Sequence, residues 1–415
     1  MSDEKFSYKT EAILNGLQAA EFLGVKIATL YAYVSRGLLE SVNSSGGRER
    51  GYRMLDLLRL RKTQKGVHLQ ADRTAAEWTG PLIKSAITEI RPDGHYYRGE
   101  SAIKLAESDV PFESVAELLW GQAKEVRERR FVAFETKSQR FLKKFNSSIA
   151  KDSDFLDSLK ALISMLELSD ARHTKLDSAD SFKTARNLIA TMSLSLDRSG
   201  RHAATLKFAP ISKIILRCLT GSKSNERAQA LNRALVLCAD HELNASTLAA
   251  RVAASCDAPL YSCLLSALGT FSGDLHGARS RQIEDLVRGS MHYASVSSWF
   301  KQYSRECPVP PGFGMHLYPE GDPRGKSLLT AATQINSRSA TLKQLVRIIE
   351  YVEEQTGQKP NVDCGLAGLS FALELPVGSA TGLFAISRTA GWVAHAVEQR
   401  LYGGMIRPRA RYIGR

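Results

Sequence analysis

The chain has 415 residues, 43% of them hydrophobic and 24% charged, with 56 Lys and Arg against 43 Asp and Glu for a net charge of +13. That length buries a large core in two or three domains and excludes a small fold held by staples. The positive balance points to anionic partners, polyanions or small metabolites, and equally suits a solvated basic surface. In chain order, the first residues lack the positive flank, apolar core and small-residue cleavage site of an export leader. Residues 14–38 then read as two short helices around a turn at Gly24 and Val25. Ala19, Ala20, Phe22 and Leu23 mark the first helix; Ala28, Leu30, Tyr31 and Val34 mark the second. Residues 44–53 are turn-rich and basic, and 54–65 regain a helical period. The whole is a helix-turn-helix with a wing, predicted as a domain over 1–66. Such a module either contacts DNA or only packs and assembles.

A polar linker is predicted over 67–82, followed by a brief hairpin over 85–100 and a helix around 115–120. Residues 121–181 are charge-rich and helix-forming. Beyond 182 nearly every segment carries helical period: 185–196, 211–219, 227–238, 248–254, 261–268, 283–291, 342–353 and 381–399. Breaks fall at Gly273, Gly277, 308–314 and Pro376. The apolar stretch 365–386 is interrupted by Glu374 and Pro376, so no membrane span is expected. Cys218, Cys238, Cys256, Cys263, Cys307 and Cys364 form no CxxC pair and no ligand spacing with histidine. They read as reduced thiols of a cytoplasmic protein that binds no metal.

The string from Gly24 to Leu38 resembles the MerR-type DNA-binding domain. That resemblance implies that Lys26, Thr29 and Tyr33 lie on a recognition helix, with Arg36, Arg50 and Arg53 near phosphates.

Polar clusters punctuate the helical body: Asp240-His241-Glu242, Leu275-His276-Gly277, Asp322-Pro323-Arg324, Pro360-Asn361-Val362-Asp363, Ser387-Arg388 and Ile406-Arg407. Removing a weakly acidic C–H proton needs a positioned carboxylate, and the resulting enolate oxygen needs a donor such as a neutral imidazole. Asp363 and His276 are the candidates. His276 precedes a helical pattern, and a helix N-terminus disfavours imidazolium; a lone histidine between such glycines is also often a satisfied structural residue. His241 lies just before the run Asn244 to Thr247, which also suits a helix cap. Arg388 shares a helix with Phe384 and Trp392, so its buried cation demands either a protein carboxylate or an anionic ligand.

The joint order of these clusters resembles that of the citrate synthases. The resemblance implies an all-α fold, with a large domain over 83–275 and 364–415 and a small domain over 276–363. It further implies a Claisen condensation of acetyl-CoA, or another short acyl-CoA, with oxaloacetate, giving citrate and CoA without a cofactor. In that scheme Asp363 is the base, His276 the donor, and His241, Arg324 and Arg388 bind oxaloacetate. Arg407 from a neighbouring subunit of a homodimer completes the set. One departure stands out: counting back from Arg324 places Met315 where the family carries a histidine, and His316 follows one residue late. A thioether donates no hydrogen bond, so about 2.7–4 kcal/mol of transition-state stabilisation is at stake, and use of His316 requires a shifted loop. Asp274, Ala278 and Arg279 also differ from the usual pattern around the Leu-His-Gly cluster. The alternative is a weak or inactive synthase-like sensor that binds oxaloacetate, citrate or CoA and regulates transcription through its helix-turn-helix.

Overall fold

In the computed structural model, the residues described are 13–23, 25–35, 39, 41–43, 50–53, 56–57, 83–122, 131–132, 137–150, 153–170, 178–198, 206, 208–305, 307, 309–315, 317–318, 320–409 and 412. The chain divides into two compact units, Met1–Pro81 with Ser297–Pro310, and Leu82–Val296 with Pro311–Arg415. The expected linker over 67–82 and most of the period over 54–65 lie outside the described residues.

The first unit contains β1 (Ile13–Asn15), α1 (Gly16–Leu23), α2 (Ile27–Ser35), β2 (Val42–Asn43) and β3 (Arg50–Arg53). The strands form an antiparallel sheet in the order β1-β3-β2. Leu14 pairs with Tyr52, so both project to one face, and both are buried with Ala19, Ala20 and Leu30. Helix α1 starts on reciprocal bonds: Asn15 N donates to Gln18 Oε1 (3.1 Å), and Gln18 N donates to Asn15 Oδ1 (2.9 Å). Two orphan amides are thereby satisfied at once.

The second unit opens with the hairpin expected over 85–100. It comprises β4 (Thr88–Arg91), β5 (Gly94–Tyr97) and β6 (Glu100–Ser101), in that order in one antiparallel sheet. The rest is helical: α3 (Ala102–Glu107), α4 (Phe112–Leu119), α5 (Lys137–Ser148), α6 (Phe155–Ser169), α7 (Ser178–Ser195), α8 (Ile211–Thr220) and α9 (Asn225–Cys238). After these come α10 (Ala245–Ser255), α11 (Leu260–Phe271), α12 (Arg279–Ser290), α13 (Val296–Tyr303), α14 (Pro323–Asn336), α15 (Ala340–Thr356), α16 (Val362–Leu373) and α17 (Ser379–Tyr402). Most of α13 belongs to the first unit by its contacts.

Helices α3, α13, α14 and α16 fall outside the stretches whose helical period the sequence showed. Every residue of α16 is buried, and a helix apolar on all sides has no stripe to detect. Helix α14 instead announces itself by its cap. Asp322 accepts from Arg324 N (3.0 Å), with Pro323 in the first turn, where its missing N–H costs nothing.

Helices α14 and α16 touch backbone to backbone. A Cβ on Gly325 would stand 2.4 Å from Asn361 O, and one on Gly365 would stand 3.0 Å from the Gly325 Cα. Only glycine permits that approach, and it sets Arg324 and Asp363, one and two residues away, beside each other. Among the described residues, no helix is long and apolar enough to cross a membrane.

Candidate active site

Helix α10 begins at the expected cap, where the Asn244 side chain accepts from Thr247 N (3.1 Å). The amide of Ser246, in the same turn, points at His276 Nε2 (3.4 Å), and Ser246 Oγ stands 2.8 Å from that nitrogen. A backbone N–H can only donate. Nε2 is therefore the acceptor, and the neutral ring carries its proton on Nδ1, which no described residue engages. Trp392 Nε1 on α17 donates to the same Ser246 Oγ (3.2 Å), and the Phe271 ring packs against the imidazole with centroids 5.1 Å apart. Burial first, then the positive charges of Arg388 and Arg279, lower the His276 pKa to about 4. The ring is held as a neutral donor. The helix terminus aimed at the ring is that of α10, not the one that follows it in sequence.

Asp363 sits in the first turn of α16, its backbone N–H donating to the Asn361 side chain (2.9 Å). Its carboxylate is buried and accepts Ser280 Oγ at Oδ1 (2.6 Å). Burial raises its pKa, opposed by the Ser280 bond and by Arg279 and Arg324. Arg279 thus acts through its charge on both His276 and Asp363.

Arg388 is 2% exposed. Its Nε donates to Cys238 O (2.7 Å), and its guanidinium lies over the Phe384 ring at 4.9 Å. No carboxylate among the described residues comes within ion-pair distance. Asp240, which acts on Arg388 through charge, is engaged at Oδ2 by Thr88 Oγ1 (2.6 Å) and His395 Nε2 (3.2 Å), and its buried Oδ1 has no hydrogen-bond partner among the described residues. Burial lowers the Arg388 pKa. A guanidinium out of water with only a carbonyl for company costs several kcal/mol, and a second anion would offset that cost.

Arg324 differs, for it has its own counter-ion. Nε and Nη2 grip Asp322 through two bonds of 3.0 and 2.7 Å, leaving Nη1 without a described partner. Asp322 also accepts Val362 N (3.1 Å), so one carboxylate pins the starts of both α14 and α16. His241 Nε2 lies 2.9 Å from Tyr318 Oη, and the Arg324 guanidinium stands 5.9 Å from the Tyr318 ring.

Met315 lies in the loop before α14. That loop runs beside the approach to Asp363 through Gly314 N to Lys359 O (2.8 Å) and Asn361 N to Gly312 O (2.8 Å). Gly312 and Gly314 take φ of +88° and +74°, and a Cβ at Gly312 would meet Ile283 at 2.3 Å, which ties the loop's path to those glycines. His316 lies outside the described residues, as does Arg36. Arg407 is exposed and makes no hydrogen bond or ion pair among the described residues, although Ile406 N anchors its segment to Ser255 Oγ (3.1 Å).

In the first unit Lys26, Arg50 and Arg53 are exposed and Thr29 is half-buried. Tyr33 packs against that unit's core, whereas Tyr31 points outward at 51% exposure. Sequence reasoning missed Ser246, Ser280, Tyr318, Asp322 and Trp392. The N-cap position of Asp322 before a proline was a signal for one of them; the others are recognisable only in three dimensions.

A family model described as citrate synthase, C-terminal domain, matches residues 78–409. A citrate synthase from Haloferax volcanii is 37% identical over 226 residues, 52% of this chain and 56% of that protein. Citrate synthase 2 of Bacillus subtilis is 29% identical, covering 80% of this chain and 93% of its own length. 2-Methylcitrate synthase 2 of Corynebacterium glutamicum is 28% identical over 80% and 92%. A Thermoplasma acidophilum citrate synthase, solved in a ternary complex with carboxymethyl coenzyme A and oxaloacetate, superposes with a TM-score of 0.70 at 24% identity, covering 81% of this chain and 95% of that one.

Proposed function

Because the chain belongs to the citrate synthase family, we propose that it condenses acetyl-CoA, or another short acyl-CoA, with oxaloacetate to give citrate or its homologue and CoA. The observation that carries this reading is Arg388, a buried cation with no carboxylate of its own among the described residues, whose charge acts on the neutral imidazole of His276, while Asp363 supplies a buried carboxylate. Asp363 takes a proton from the carbon next to the thioester carbonyl. The C–H pair becomes the C=C bond of the enol, and His276 Nδ1–H holds the oxygen. The enol carbon then attacks the ketone carbon of oxaloacetate, the C=O pair moves onto its oxygen, which takes up a proton from solvent to become a hydroxyl, and Asp363 gives its proton back to solvent. Water cleaves the resulting thioester and frees CoA.

Arg388, Arg324 Nη1 and His241 hold the oxaloacetate carboxylates and ketone, since guanidinium forks grip carboxylates through paired bonds. Arg407 of a second copy completes the pocket in a homodimer. Its exposure, and that of Leu401 (73%), Tyr402 (64%) and Met405 (65%) beside it, favours a covering partner. The large domain comprises 83–275 and 364–415, and the small domain 276–363, with closure between them excluding water.

With Met315 in place of a donor to the ketone oxygen, the rate is below that of a full constellation. Met315→His raises kcat by about 10²- to 10³-fold, read as CoA release from acetyl-CoA and oxaloacetate. No release from either protein, with tight oxaloacetate binding in both, removes the enzyme reading.

Met315 also favours a second reading, a sensor that binds these ligands and acts through its first unit. There the α1–α2 pair and the small sheet form a winged, MerR-type module over 1–66. Lys26, Thr29, Arg50 and Arg53 face DNA with Arg36, while Tyr33 serves the core instead. A mobility shift with the chain's own upstream DNA, strong at low salt and weakening as salt rises, is the expected result; no shift at low salt overturns it.

A further inference from the structure

We propose that Ser280 is a positioning residue for the base: it occupies Oδ1 of Asp363 and thereby assigns proton abstraction to Oδ2. The inference rests on the reading of Asp363 as base and goes beyond it, because it selects between two oxygens of one carboxylate. A carboxylate rotating freely about its χ2 torsion presents either oxygen at many angles. Here the backbone end is fixed by the Asn361 cap (2.9 Å), and the far end by Ser280 Oγ donating to Oδ1 at 2.6 Å. No described residue donates to Oδ2.

Ser280 is fully buried, so water does not compete for its hydroxyl. It stands in the first turn of α12, four residues after His276 and next to Arg279, the cation that acts on both His276 and Asp363. One short stretch therefore sets the enol-oxygen donor and the oxygen that removes the proton. Geometry held to this tolerance is what separates a reactive alignment from mere proximity. The same bond opposes burial and favours the ionised carboxylate, the form that accepts a proton.

Ser280→Ala removes the hydroxyl without penalising the helix, since alanine is the better helix former. Ser280→Thr keeps the hydroxyl. With aspartate carboxyl carbons labelled, and the Asp363 signal identified by its absence in Asp363→Asn, an NMR titration gives the Asp363 pKa whether or not the protein turns over. The expected result is an upward shift of about one unit in Ser280→Ala and return toward wild type in Ser280→Thr. The kinetic counterpart is a fall of about tenfold in kcat, with KM for oxaloacetate unchanged. An unmoved Asp363 signal in folded Ser280→Ala overturns the inference. Full turnover by Asp363→Asn instead overturns the base assignment, and the two failures are told apart by which measurement breaks.

Discussion

Asp363→Asn lowers kcat for CoA release by about 10²- to 10⁴-fold while oxaloacetate still binds. The replacement is nearly isosteric: its carbonyl oxygen still accepts from Ser280, and its backbone N–H still meets the Asn361 side chain. Only basicity is lost, so the defect belongs to the chemical step. The pH dependence carries the sign. Burial raises the Asp363 pKa, and the group works as a base only when ionised, so wild-type kcat/KM falls as pH drops through that raised value. His276, with its pKa near 4, is neutral across the neutral range. In the Asn variant the limb due to Asp363 disappears from a residual rate that is low throughout. A variant retaining more than about a tenth of wild-type kcat is incompatible with a base at this position.

Arg388→Met weakens oxaloacetate binding, measured by calorimetry, by about 30-fold or more, the loss expected when one partner of a desolvated charge pair is truncated, about 2–5 kcal/mol. The same variant, without ligand, unfolds at a higher temperature than wild type. The physics runs in opposite directions because the cost of the buried guanidinium is met only when an anion arrives. The free protein carries under Phe384 a cation with no ion pair among the described residues, and a thioether chain of similar length removes that burden. Against the gain stands the Cys238 carbonyl, which loses its donor, a penalty of roughly 1–3 kcal/mol that the relieved desolvation exceeds. Unchanged binding with a lowered melting temperature would make Arg388 a structural residue.

Some of this was legible in the sequence and some was not, for identifiable reasons. The hairpin around Pro92–Gly94, the cap at Asn244, the helix that follows His276 and the helix bearing Arg388 were marked by turn chemistry and period. Arg388 reads as a cation needing an anion, and among the described residues no carboxylate lies within ion-pair distance of it. Arg324, identical in type, proved to have Asp322 for a partner two residues away, a pairing visible only once the cap was formed. Helix α16 hid because complete burial erased its period. Ser246, Ser280 and Trp392 act across 30, 83 and 146 residues of chain. No local pattern foretells such distances. The neutrality of His276 follows from its burial and from Arg388 and Arg279, and the amide that meets its Nε2 comes from a distant helix, α10.

The seam at Gly325 and Gly365 has a mechanical consequence. With backbone pressed on backbone and Asp322 laced to both helices, Asp363 and Arg324, the proposed proton acceptor and anion anchor, keep one fixed spacing. Substrate cannot be admitted by prying those two apart.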